Sequence, residues 1–372
     1  MIKIKQRTNI LIDSIFKKKW SVIDVKNFIG DYKYCRLTYS IDNKIRNNAA
    51  SGGTLTQMLI DGLEKNIIDG ALVCKTLIKD NKIRPEFYIA TNKQEILNSQ
   101  GSKYVETRFV KDAIPLIKKF AGRLAIVGLP CDIGITKRLM LKDKELSNKI
   151  TVLFALVCGH NSKYELIDEV SKKIESKFNK KIKKYFFRVG HWRGSIKVVF
   201  DDNTTEYLPS SFFNDYQNLF FFSEKKCLAC YDHYGYDADI SVGDIWSYHL
   251  KNNPIKHTAL IIKNDKGHDY FKKCSESLFK KDINIKEILD GQSRIGPFHY
   301  NLSARAKVSK FFDIKLVDKV NTKVTVWHIF DSMITLFNFK LSTNSLGKKI
   351  IFFMPRKILK FYLYIKKGLE SI

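Results

Sequence analysis

The chain has 372 residues, 44% of them hydrophobic, enough for one large or two ordinary domains with a sizeable core. Its 65 Lys and Arg against 38 Asp and Glu leave a formal net charge of +27, which favours anionic partners; the lysines are scattered as codon bias would scatter them, so no specific nucleic-acid partner is expected. Seven cysteines in a chain of this length do not read as a disulfide framework, no apolar run reaches the roughly 18 residues of a membrane span, and no signal-peptide core is present, so a cytoplasmic setting is expected.

Residues 1–34 read as a basic N-terminal arm, and residues 34–41 as a strand. Asn48-Ala49-Ala50-Ser51-Gly52-Gly53 then opens a helix whose apolar residues Leu55, Met58, Leu59 and Leu63 recur at helical spacing. Ser51 is the expected N-cap. A loop of small residues feeding a helix start presents free backbone N–H groups and a positive dipole end. That suits a phosphate or the pyrophosphate of a dinucleotide, although the same glycines serve a tight turn equally well. Strands are expected at 67–74 and 87–90 and a short helix at 94–98. Gly101-Ser102-Lys103-Tyr104 follows, combining a hydroxyl, an ammonium and a flat ring. It reads either as a phosphate-and-ring contact or as a helix-capping turn.

A helix at 109–120 leads to a buried strand at 124–127, which ends in Gly128-Leu129-Pro130-Cys131. A helix at 133–142 and a strand at 150–157 follow, the latter ending in Cys158-Gly159-His160. Parallel α/β strands expose functional side chains at their C-terminal ends, so these two cysteines are expected side by side. A helix at 162–177 and a hairpin of strands at 183–188 and 195–200 come next, with His191 in the turn. The aromatic stretch 212–222 reads as core. Cys227-Leu228-Ala229-Cys230 precedes the apolar strand 238–246, Ala-Asp-Ile-Ser-Val-Gly-Asp-Ile-Trp. Cys131, Cys158, Cys227 and Cys230 are four thiols, the number that a 4Fe–4S cluster or a tetrahedral zinc needs. Cys35, Cys74 and Cys274 read as small apolar core residues. A strand at 259–263 and a helix at 268–278 close the patterned part. From residue 341 onward the chain is basic and aromatic, and Pro355 divides it into two helical pieces. Such a tail suits a membrane surface or packing on its own domain.

These pieces, in this order, resemble the beta-subunit family of coenzyme F420 hydrogenases and dehydrogenases across residues 35–310. The resemblance rests on the Ser51-Gly52-Gly53 loop, Gly101-Ser102-Lys103-Tyr104, Gly128-Leu129-Pro130-Cys131, Cys158-Gly159, the Arg188 to Trp192 stretch, Cys227-x-x-Cys230 and the 238–246 strand. It implies a flavoprotein with FAD and a 4Fe–4S cluster, with cluster ligands at Cys131, Cys158, Cys227 and Cys230. It also implies flavin contacts at Ser51, Gly52, Gly53, Gly101, Ser102, Lys103 and Tyr104, and it designates no catalytic residue. Many members carry a cysteine-rich ferredoxin-like module before this region. Here no cysteine precedes Cys35, so electrons are expected to come from a redox partner protein or a small-molecule carrier.

The expected architecture is α/β (mixed α+β): a central, mostly parallel sheet with helices on both faces, a β-hairpin insertion and a C-terminal helical tail. The expected organisation is an arm at 1–34, a flavin and iron–sulfur domain at 35–310 and a basic helical tail at 311–372. The expected activity is electron transfer between an external donor or acceptor and a substrate, by analogy in surface-polysaccharide biosynthesis, with peripheral contact to the inner membrane surface through the tail. The alternative is a non-catalytic binding or scaffold protein with structural zinc on the four thiols and a basic surface for a polyanion or membrane.

Overall fold

The computed structural model describes residues 22–292 and 295–371. Its strands are β1 (Tyr34–Ser40), β2 (Gly70–Lys79), β3 (Lys82–Ala90), β4 (Leu124–Gly128), β5 (Ile150–Leu156) and β6 (Ile182–Val189). They continue with β7 (Ser195–Phe200), β8 (Thr205–Pro209), β9 (Ile240–Asp244), β10 (Thr258–Ile262) and β11 (Leu278–Asp282). The helices that bear on the site are α1 (Val22–Ile29), α2 (Thr54–Glu64), α3 (Pro130–Met140) and α4 (Tyr164–Phe178). Four more close the chain: α5 (Leu302–Val308), α6 (Val326–Leu341), α7 (Ser345–Phe353) and α8 (Arg356–Ser371).

Eight strands form one sheet in the order β11-β1-β10-β9-β5-β4-β2-β3. Its centre, β2-β4-β5-β9, is parallel throughout. The outer strands on either side pair antiparallel. Strands covered on both faces read as continuous apolar runs, and β4 (LAIVG) and β5 (ITVLFAL) are of that kind. Alternation along β5 sends Val152 and Phe154 to one layer, with Met58, Leu59 and Tyr270. It sends Leu153 and Ala155 to the other, with Ile114, Ile117 and Ile133. Helices therefore cover both faces. Asp239, just before β9, is buried, and its carboxylate accepts from the Leu153 amide at 2.8 Å and from Asn264 Nδ2 at 2.9 Å. That pair fixes β9 beside β5.

The expected hairpin is present and gains a third strand: β6, β7 and β8 form a separate antiparallel sheet that packs on α4 through Tyr185, Phe187, Val198 and Ile174. Of the expected arm, residues 1–21 lie outside the described residues. The part that follows is helix α1, whose Val25, Phe28 and Ile29 are buried against Leu37, Tyr234 and Ile261. Several boundaries shift. The strands expected at 67–74 and 87–90 are one long hairpin, β2–β3, turning at Asp80 and Asn81 with φ of 51° and 56°, the left-handed pair that a two-residue hairpin needs. The helix expected at 268–278 is Asp265–Lys273, which leaves Cys274 at its C-cap and frees residues 278–282 to form β11.

Candidate cysteine centre and adjoining cleft

β4 ends at Gly128 and β5 at Leu156, with Gly128 opposite Ala155 in the parallel register. Cys131 is the second residue of α3, just past the end of β4, so it sits on the first turn of a helix rather than on the strand itself. Cys158 lies two residues beyond β5. Cys227 is inside a 3-10 turn, Lys225–Ala229, and Cys230 is its C-cap. Backbone hydrogen bonds bring these segments together. The Cys158 amide donates to the His233 carbonyl at 3.0 Å, and His233 Nδ1 lies 2.8 Å from the Cys158 carbonyl oxygen. The Asn161 amide donates to Cys227 Sγ at 3.5 Å. After Cys230, the Asp232 carboxylate accepts from the amides of Tyr234, Gly235 and Tyr236 at 3.2, 2.7 and 3.1 Å. That closes the turn back toward β9.

The four thiols share one electrostatic environment. Burial raises each pKa, to about 12 for Cys131, Cys227 and Cys230 and well above the ordinary value for Cys158. Beyond burial, every pair among the four contributes a mutual repulsion of thiolates. Ionising any one of them is thus opposed by the others as well as by burial. Among the described residues, no group of three or more His, Cys, Asp or Glu is gathered tightly enough to hold a metal ion. The thiols are thus neighbours without forming a collapsed single-ion cage. Two cations border them. Burial opposes the charge on Lys226, yet Glu224, Cys131 and Cys227 outweigh it and raise its pKa. Arg305, fully buried on α5, donates to the Leu228 carbonyl inside the Cys-x-x-Cys turn at 2.9 Å, and its guanidinium stacks 3.8 Å over the Phe298 ring. Nothing in the local sequence of α5 marks Arg305; only its placement under the turn does.

The two glycine segments occupy neighbouring but different settings. Gly53, at φ +79°, is the N-cap of α2, so Ser51 stands outside the helix and does not cap it. Ser51 Oγ lies 3.0 Å from Thr258 Oγ1, and the Gly52 amide donates to that same hydroxyl at 2.9 Å. The Ser40 amide donates to the Gly52 carbonyl at 2.8 Å. The loop is therefore sewn to β1 and β10, and the Gly52 amide is already used. Gln100 joins the second segment to this one through the Ile45 carbonyl at 3.0 Å. Gly101, at φ +88°, faces open space, while the Lys103 ammonium turns inward onto the carbonyls of Ser99, Gln100 and Gly101. Lys103 thus caps the carbonyl end of the helix Lys93–Asn98. Tyr104 packs near Phe187 and reaches the Arg188 guanidinium. Ser102 makes no contact that assigns it a role.

Next to Ser51 opens a narrow cleft lined by Arg188, Trp192, Asp244, Trp246, Lys256 and His257. Arg188 is buried and pairs with Asp244 from the end of β9. Its guanidinium lies 4.7 Å from the Trp246 ring centroid, and Trp192 meets Trp246 edge-on at 5.4 Å. Arg188 Nε is buried with no hydrogen-bond partner among the described residues, a donor that a ligand could satisfy. Lys256 donates to the Asn47 and Ala49 carbonyls beside Ser51, and burial pulls its pKa down to about 8. Lys256 is a site residue that sequence reasoning did not single out, and Asp244 and Trp246 entered it only as the end of the 238–246 motif, with no role assigned. The available signal was the aspartate and tryptophan closing the 238–246 strand, at the C-terminal edge where α/β sheets bind ligands.

Residues 37–112 match the family model described as coenzyme F420 hydrogenase/dehydrogenase, beta subunit N-term, and residues 121–287 match the one for its C terminus. The uncharacterized protein MJ1349 of Methanocaldococcus jannaschii is 27% identical over 267 residues, covering 69% of this chain and 67% of that protein. The coenzyme F420 hydrogenase subunit beta of Methanococcus voltae is 24% identical, covering 70% of this chain and 88% of the subunit. Among solved structures, a chain of the F420-reducing nickel–iron hydrogenase complex from Methanosarcina barkeri superposes with a TM-score of 0.58 at 18% identity. It covers 78% of this chain and 98% of that one.

Proposed function

Because the chain belongs to the coenzyme F420 hydrogenase/dehydrogenase beta-subunit family, a family of oxidoreductase subunits, we propose that it binds FAD and a 4Fe–4S cluster and passes electrons between a redox partner and a substrate. The observation that carries the proposal is the approach of the four cysteines' segments: β4 and β5 end side by side before Cys131 and Cys158, the Cys158 amide donates to the His233 carbonyl just after Cys230, and the Asn161 amide donates to Cys227 Sγ. A single zinc ion draws four sulfurs to about 2.3 Å from one centre, whereas a 4Fe–4S cube is held at four corners and keeps its sulfurs apart. The family to which the chain belongs favours the cube. Binding must strip the protons that burial holds on these thiols, and Lys226 and Arg305 offset the negative charge that results.

For the flavin, the groups around the cleft beside Ser51 suit recognition better than the glycine loop alone, at the edge of a cleft that itself encloses only about 20 Å³. It offers the unpartnered Arg188 Nε, two tryptophan rings and Lys256. Ser51 lines it and Tyr104 reaches Arg188; Gly52, Gly53, Gly101, Ser102 and Lys103 are proposed contacts for the rest of the flavin. Bound flavin supplies hydride and one-electron chemistry; the protein positions it and supplies the charged wall of Arg188 and Lys256. Peripheral membrane contact through residues 345–368 belongs to the same proposal and is supported by the basic, aromatic C-terminal helices; surface-polysaccharide biosynthesis as the setting rests on analogy alone.

The test is anaerobic purification with iron, zinc and flavin analysis. The expected result is about four iron atoms per chain together with flavin. Cys227→Ser should lose the iron and the brown absorbance, and Cys274→Ser should keep both. Stoichiometric zinc without iron would overturn the redox reading.

A further inference from the structure

Helix α6 is built inside out. The side chains it buries include Asp331, Ser332, Thr335 and Asn338, next to Leu336 and Phe339. Those it exposes are Val326, Trp327, Phe330, Met333 and Phe337, each at least 40% accessible. Val326, Phe330, Met333 and Phe337 follow one another at i, i+4, i+7 and i+11, a single stripe along the helix. A helix lying against a globular core in water shows the reverse pattern.

The buried polar face is committed. Asp331 accepts from Lys366 Nζ of α8 at 2.7 Å and from Asn301 Nδ2 at 3.0 Å. Asn338 donates to the Leu219 carbonyl at 2.8 Å and accepts from the Tyr362 hydroxyl at 2.7 Å. Turning α6 to hide its apolar stripe would leave these groups buried and unpaired, which is costly. The stripe is thus held outward. The two following helices repeat the arrangement on a smaller scale. Leu346, Ile350 and Phe353 of α7, and Ile358, Phe361 and Tyr364 of α8, are each at least 48% accessible. An apolar face of this kind is kept where another apolar phase covers it.

Charge identifies that phase. Between Val326 and Ser371 there are eight Lys and Arg and two acidic residues, Asp331 and Glu370. Both acids bind the buried Lys366. Lys349 of α7 and Arg356, Lys357 and Lys360 of α8 are exposed beside the apolar residues of those two helices, while α6 itself carries a single lysine, Lys340. A second copy of the chain meeting this surface face to face would set like charges against one another. An anionic lipid surface matches both features, hydrocarbon for the stripes and headgroup phosphates for the lysines. Among the described residues no helix is long and apolar enough to cross a membrane, so the contact lies in the plane of the interface.

We infer that α6, α7 and α8 together form a docking surface for an anionic bilayer, with the α6 stripe as its principal apolar insertion. This deepens the membrane contact proposed for residues 345–368 by placing the main anchor upstream of them, and it is independent of the redox reading. The test is flotation of the full chain with vesicles of phosphatidylcholine alone and of an equal mixture with phosphatidylglycerol. Light scattering on the protein alone runs beside it. Two double variants are compared: Phe330→Ser/Phe337→Ser on α6, and Phe353→Ser/Phe361→Ser on α7 and α8. All four positions are exposed, and circular dichroism checks that both variants stay folded. The expected result is flotation with phosphatidylglycerol vesicles that weakens in high salt and falls roughly tenfold or more in the α6 variant. If the α6 variant floats like the wild type while the α7/α8 variant does not, the inference falls and the contact at 345–368 stands. If the wild type does not float, both fall. A dimer that the α6 variant dissociates would assign the stripe to a second copy and overturn the inference.

Discussion

Gly52 shows how a residue noticed for one reason can be required for another. A Cβ placed there would lie 2.8 Å from the Thr38 carbonyl oxygen, 2.9 Å from Thr258 Oγ1 and 2.9 Å from Tyr39 Cβ. None of these is the end of a flexible side chain, so Gly52→Ala should cost about 1–3 kcal/mol of overpacking, read as a lower urea midpoint whether or not flavin is bound. Lys103 carries a pH signature. Burial lowers its pKa from 10.5 to about 8, so between those values the unfolded chain binds more protons than the folded one. Its contribution to stability therefore rises with pH across that window. The difference in unfolding free energy between wild type and Lys103→Met should climb from pH 8 to pH 10.5; a flat difference would show that the ammonium is not buried. Asp244→Asn removes the carboxylate that faces buried Arg188. It should cost about 3–5 kcal/mol and reduce flavin occupancy, measured by chemical unfolding and by absorbance after gel filtration.

At the scale of elements, the joint between α6 and α8 is ionic. Lys366 is 1% exposed and reaches Asp331 at 2.7 Å and Glu370 at 2.6 Å. Burial works against its charge, but Glu370 and Asp331 outweigh that and raise its pKa. Lys366→Met would leave two carboxylates buried without their hydrogen-bonded cation, with Arg305 as the remaining nearby charge. A loss of about 3–5 kcal/mol is expected, shrinking as the pH falls and those carboxyl groups take up protons. Thermal unfolding at neutral and mildly acidic pH checks both parts. This joint was not legible in the sequence. The pattern of α6, with Asp331, Ser332 and Asn338 among aromatic residues, gives no sign of which side faces in, because its polarity is the reverse of the rule used to read helices. Elements that follow the rule were legible: β4 and β5 as continuous apolar runs, α2 from its helical spacing, and the β6–β7 hairpin from alternation. β11 was missed because Leu278 alone of its residues is buried, so an edge strand of exposed Phe, Lys and Asp offers no period to detect.

For the molecule as a whole, the proposed cysteine set could be read from the sequence because Cys131 and Cys158 follow strand ends and Cys227 and Cys230 share a tight turn, and the parallel centre of the sheet aligns such ends. The cleft was only half legible. Arg188 comes from β6, Asp244 from β9 and Ser51 from the loop before α2, and nothing local ties such distant positions together. That same dispersion bears on how the protein is made. Cys131 and Cys230 are separated by about 100 residues, and the entire β6–β8 insertion lies between them. Closing a loop of that length costs chain entropy that grows with the logarithm of its size. A cluster gripping both ends would act as a cross-link that removes this freedom from the unfolded chain; a disulfide around such a loop contributes about 4.7 kcal/mol. The strands β5 and β9 can pair only after the insertion has been synthesised, and until then Cys131 and Cys158 are separated from the Cys227–Cys230 turn by a growing polymer. The proposed cluster would therefore enter late, onto an already closed sheet, and the protein without it would be the less stable form.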